Sequence, residues 1–151
     1  MIYNRFYSIY IILVCLFFLG CQKNIDKNDN LIIEEYISNN NITAESTTSG
    51  LYYVIHDQGY GEKPNISSTV TVSYTGKLTD GTIFDQSGPN GATFQLYNLI
   101  QGWQEGIPLL NEGGSAMLII PSKLGYGSRA IGNIPPNSVL IFDIYLIEVN
   151  N

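Results

Sequence analysis

The feature that most constrains the fold lies near the C-terminus. From Val139 to Val149 the chain is almost wholly apolar, with Leu140, Phe142, Ile144 and Leu146 in alternate positions and Asp143 and Tyr145 between them. A period of two places the first set on one face of a strand, and that face must find a core. Thr69–Thr75 repeats the pattern, with Val70, Val72 and Tyr74 facing one way and Thr or Ser the other. Leu51–Ile55 and Ser115–Pro121 are two further strand segments. Asp80-Gly81 stands between β-prone stretches and predicts a tight hairpin that brings Ile83-Phe84-Asp85 back beside the preceding strand, because Gly supplies the positive φ such a turn needs.

One segment has a different period. Leu99, Trp103, Ile107 and Leu110 recur at steps of four, four and three, the spacing of a short amphipathic helix. Gly102 and Gly106 weaken it, and Pro108 cannot donate back to Gln104, so the last turn is expected to be irregular. Several strands around one helix, without βαβ alternation or internal repeats, predict an antiparallel α+β domain: a twisted antiparallel sheet wrapped around one short central helix. A Gly/Pro-rich loop over Ser122–Asn137 joins the last two strands.

The 151 residues leave room for one such domain. The N-terminus has another purpose. Arg5 is its only charge before the apolar run Ile9–Leu19, which has the length of a signal-peptide core and is short for a membrane span. Gly20-Cys21 ends the run, and a small residue directly before a cysteine resembles the lipobox of bacterial lipoproteins, although Phe18 stands where Leu is usual. This divides the chain into a signal peptide (1–20), a lipidated Cys21 with a polar tether (21–48), and a domain (49–151). An uncleaved anchor or a plain secretory signal are the competing readings. Within the tether, Leu31–Ile37 has helical spacing, with Asp29 or Asn30 as N-cap.

Cys15 and Cys21 are the two cysteines, so the domain itself has no thiol for a disulfide, zinc site or nucleophile. Without the leader, which holds Arg5 and no acid, the net charge is (7 − 1) − 13 = −7. An acidic chain without a Lys/Arg cluster is a poor partner for nucleic acid. His56, the single histidine, has no apparent partner and reads as structural. No metal-ligand spacing, paired-carboxylate motif or phosphate-cradling loop is present, so neither a metal nor a cofactor is expected.

Four ordered blocks carry a family resemblance: Val72–Ser87, Leu99–Gly106, Leu124-Gly125-Tyr126-Gly127, and Ile134-Pro135-Pro136-Asn137 leading into Leu140-Ile141-Phe142-Asp143. Over about a hundred residues they resemble the FKBP-type peptidyl-prolyl cis/trans isomerases. The resemblance implies an aromatic pocket that holds a substrate proline ring. Tyr74, Phe84, Asp85, Trp103, Tyr126 and Phe142 would be its catalytic residues, and Leu99, Ile100 and Ile134 would bind substrate. Its partners would be Pro-containing peptides or proteins and macrolide inhibitors, with the membrane reached through lipid on Cys21. Ala92 stands where many members carry an aromatic two residues before Phe94, which would leave one wall lower. The Tyr126–Pro135 loop is about one residue shorter than in eukaryotic members, which bears on specificity.

The residues suit that chemistry. Rotation about a peptide bond faces a barrier of roughly 18–20 kcal/mol from lost resonance, and no bond breaks, so no nucleophile is required. A twisted amide carries less charge on its carbonyl oxygen than a planar one, and an apolar site therefore penalises the ground state more. By the resemblance, the Tyr126 hydroxyl and the Ile100 N–H would hold the peptide, and Asp85 would orient groups at the rim; these are positioning roles. The rival reading is a chaperone or assembly lipoprotein that holds the same segments in the same groove without turnover.

Overall fold

The alternating segments pair into one antiparallel sheet. A computed structural model describes residues 28–151; the signal-peptide and Cys21 expectations lie outside the described residues. In chain order the elements are helix α1 (28–39), β1 (Glu45–Ser46), β2 (Tyr52–Asp57), β3 (Thr69–Leu78), β4 (Ile83–Gln86), β5 (Ala92–Gln95), helix α2 (Gln101–Gly106), β6 (Ser115–Ile120) and β7 (Leu140–Asn150). The strand order is β1-β2-β6-β7-β3-β4, with β5 also paired to β3. Strand β3 thus has β7 along one side and β4 and β5 in succession along the other.

The alternation in β7 falls as its pattern requires. Leu140, Phe142, Ile144 and Leu146 are buried on the concave face with Val70, Val72, Leu118 and Ile120, while Tyr145 is exposed. The Asp80-Gly81 hairpin forms, closed by Leu78 N–H donating to Thr82 O at 2.9 Å and by Thr82 N–H donating to the Asp80 carboxylate at 2.8 Å. Strand β5 was not expected. It is short, yet Ala92, Phe94 and Leu96 alternate inward against exposed Thr93 and Gln95.

Helix α2 is six residues long and passes at Ile107–Leu109 into a 3₁₀ turn containing Pro108, the irregular end that proline imposes. Leu99 lies before the helix in extended backbone, so only part of the expected stripe is helical. The two glycines have a packing reason. A Cβ on Gly102 would lie 2.5 Å from the Ile120 side chain, and one on Gly106 would lie 2.5 Å from Leu118. Helix α2 therefore rests on β6 at a distance only glycine permits, with Trp103, Ile107 and Leu110 buried.

The segment expected to be a solvated tether is, from residue 28 onward, packed against the sheet. Ile33 of α1 is fully buried with Ile119, Val139 and Ile141 on the convex face, flanked by Ile32, Tyr36 and Ile37. Those sheet residues would otherwise expose a contiguous apolar patch, which α1 removes from water. Asn41, at φ 52°, ends α1 in a Schellman turn, with Ile42 N–H donating to Ile37 O at 3.0 Å. Asp29 does not cap the helix as expected. It is buried, and its Oδ2 accepts hydrogen bonds from Ser122 N at 2.9 Å and Ser122 Oγ at 2.6 Å.

Gly106→Ala supplies the test of close approach. Alanine favours helix by about 1 kcal/mol over glycine, whereas overpacking a filled core costs about 1–3 kcal/mol. The expected result is a lower urea midpoint with unchanged slope; a raised midpoint would show that β6 yields to the added methyl.

Candidate active site

Strands β3, β4, β5 and β7, helix α2 and the β6–β7 loop converge on one concavity. Tyr74, Asp85, Phe94, Leu99, Ile100, Trp103, Tyr126 and Phe142 line a pocket of about 150 Å³. Trp103 forms its floor. The indole meets Tyr74, Phe94 and Phe142 in T-shaped contacts, with ring centroids at 5.0, 6.0 and 5.2 Å. Trp103 is 4% exposed, and its Nε1 has no hydrogen-bond partner among the described residues.

The hydroxyl and carboxylate groups of the pocket belong to Tyr74, Tyr126 and Asp85. The Tyr74 hydroxyl donates to Asp85 Oδ2 at 2.8 Å. Burial, and then the bonded Asp85 carboxylate, push that hydroxyl up from 10.0 to about 12, so it stays a neutral donor. Burial, followed by the charge on Asp85, also raises the Tyr126 hydroxyl. Tyr126 follows a 3₁₀ turn, Ser122–Leu124, and both Gly125 and Gly127 N–H groups donate to Ser122 O, at 3.0 and 2.8 Å. Ile100 is the N-cap of α2, in extended backbone.

Seven of the nine residues named from sequence meet at this wall: Tyr74, Asp85, Leu99, Ile100, Trp103, Tyr126 and Phe142. The other two pack beside these residues. Phe84 packs edge to face on Phe142 at 5.5 Å, across Gly76, where a Cβ would lie 2.6 Å from Phe84 and 2.7 Å from Phe142. Ile134, within the β6–β7 loop, is buried in the core. Phe94 lines the pocket and was not named; the alternation of Ala92, Phe94 and Leu96 was the signal for it. Phe94 supplies a wall on the strand where Ala92 was expected to leave a gap. A shallower groove of about 520 Å³ continues outward from Leu99, Ile100 and Tyr126, past Gln101, Lys123 and Arg129.

Among the described residues no cluster of His, Cys, Asp or Glu could hold a metal, and no helix is long and apolar enough to cross a membrane.

Comparison with known proteins agrees with this geometry. The model of the FKBP-type peptidyl-prolyl cis-trans isomerase family matches residues 60–147. The FKBP-type isomerase FkpA of Aeromonas hydrophila is 45% identical over 120 residues, covering 77% of this chain and 45% of that protein. The outer membrane protein MIP of Legionella longbeachae is 49% identical over 104 residues, 67% of this chain and 45% of that one. The chain thus spans about half the length of these curated relatives. The crystal structure of FkpA from Escherichia coli superposes with a TM-score of 0.75 at 32% identity, covering 99% of this chain and 71% of that one. A pocket built of these residues in this order, on this sheet, makes the chain a member of the FKBP-type peptidyl-prolyl cis-trans isomerase family.

Proposed function

We propose that this chain accelerates cis/trans isomerisation of X-Pro bonds in proteins folding outside the cytoplasm. The observation that carries the reading is the aromatic pocket floored by Trp103, with the hydroxyls of Tyr74 and Tyr126 and the Asp85 carboxylate in its wall. A pyrrolidine ring seated on the indole places the preceding amide at the mouth, between Tyr126 and the Ile100 N–H. Uncatalysed exchange takes tens to hundreds of seconds, slow enough to limit folding. Transfer of the planar, polar amide into this site loses hydration that the twisted amide needs less, so the barrier falls. Tyr126 and Ile100 fix the peptide, and Asp85 fixes Tyr74; none of them transfers a proton. Phe84, packed on Phe142, and Ile134, in the loop after Tyr126, complete the set of residues proposed to meet the substrate. The outer groove accommodates residues flanking the proline, and the pocket is of the kind that macrolide inhibitors of the family fill.

The extracytoplasmic placement rests on the apolar run before Gly20-Cys21 and on relatives, one of which is named an outer membrane protein. Cys21 is proposed as the lipidated residue. Metabolic labelling with a fatty-acid analogue is expected to mark the chain and to fail for Cys21→Ser; label retained in Cys21→Ser contradicts the anchor.

The isomerase reading is tested by following cis-to-trans relaxation of an X-Pro peptide series. Acceleration that a macrolide abolishes is expected; binding without acceleration favours the holding role instead. For Tyr126→Phe, loss of one hydrogen bond worth about 0.5–1.5 kcal/mol lowers kcat/KM by roughly 2- to 12-fold. Unchanged kcat/KM would remove Tyr126 from the site.

Among the described residues no histidine or cysteine lines the pocket, so kcat/KM is expected to be flat across roughly pH 6 to 9. Tyr74 is held protonated more strongly in the folded chain. The stability it contributes is therefore complete below pH 10.0 and is lost as pH rises towards about 12. A neutral-range inflection in the rate would point to an unrecognised acid or base.

A further inference from the structure

Helix α1 touches both ends of the loop that carries Tyr126. At the entry, the buried Asp29 carboxylate holds Ser122 through its N–H and its hydroxyl. Ser122 O in turn accepts from Gly125 and Gly127, the residues on either side of Tyr126. At the exit, Ile33 packs with Val139, the residue that leads into β7. A carboxylate is costly to bury, and Asp29 Oδ1 has no partner among the described residues. Docking the helix by its apolar stripe alone needs no such group. What Asp29 supplies is direction: two charge-assisted bonds to one residue fix the turn from which Tyr126 projects.

We propose that Asp29 is a positioning residue for the isomerase site, acting through Ser122 to hold the Tyr126 loop, so that α1 is a brace of the catalytic wall. This rests on the isomerase reading for its kinetic consequence, though not for its structural one.

The test compares Asp29→Ala, Asp29→Asn and a distant core variant, Val149→Ala, with the unmodified full chain in detergent micelles. Three quantities are measured: Tm, kcat/KM, and amide hydrogen exchange at Gly125 and Gly127. Asn keeps a carbonyl oxygen that can accept both Ser122 bonds. The expected loss of kcat/KM in Asp29→Ala is about five-fold, a typical consequence of a loosened positioning contact, with Asp29→Asn within about two-fold of the unmodified chain. Exchange at Gly125 and Gly127 should rise in Asp29→Ala alone. Val149→Ala should lose Tm and keep both kcat/KM and loop exchange. The proposal is overturned if Asp29→Ala lowers Tm while loop exchange stays as in the unmodified chain, or if Asn restores nothing. Absence of turnover in the unmodified chain would sink the isomerase reading, while the exchange comparison would still decide the brace.

Discussion

Helix α2 carries Trp103 into the hollow of the sheet because Gly102 and Gly106 leave no side chain between its backbone and Ile120 and Leu118 of β6. That approach sets the depth of the pocket. A helix held one methyl further out would lift the indole from Tyr74, Phe94 and Phe142, and the floor would no longer be continuous. Six residues of helix carrying two glycines have little intrinsic stability. The helix persists because Trp103, Ile107 and Leu110 are buried against the sheet, so the site and the core are one set of contacts.

The proposed chemistry follows from what this arrangement separates. Aromatic rings around the Trp103 indole occupy the floor, whereas hydroxyls and a carboxylate occupy the wall. Nothing nucleophilic is needed to rotate an amide; what helps is an environment that solvates the planar form poorly and holds the chain on both sides. The raised hydroxyls of Tyr74 and Tyr126 fit that division, since both remain uncharged donors beside an acid.

Much of this was legible in the sequence where the physics is local. A period of two announced β3 and β7, and Asp80-Gly81 announced β4 beside β3, because side-chain direction and positive φ are set within a few residues. Most of the pocket was legible through four blocks in order. Phe94 was less so, since β5 is four residues long and its alternation is brief. How Phe84 and Ile134 meet the pocket depends on packing between distant strands and the loop, which no spacing encodes. The role of α1 was hidden for another reason. Asn- and Asp-rich composition suggests a solvated segment, yet a single stripe through Ile33 and one carboxylate on Ser122 are enough to fasten it.

Because Trp103 is the single tryptophan in the chain, its fluorescence reports on the pocket floor directly. The most direct measurement is a titration with a peptide containing one X-Pro bond and with the same peptide carrying Ala in place of Pro. A saturable change in Trp103 emission with the proline peptide alone, reversed by a macrolide competitor, is the expected result. Equal changes with both peptides, or catalysed isomerisation with no change at Trp103, would contradict a proline ring seated on the indole.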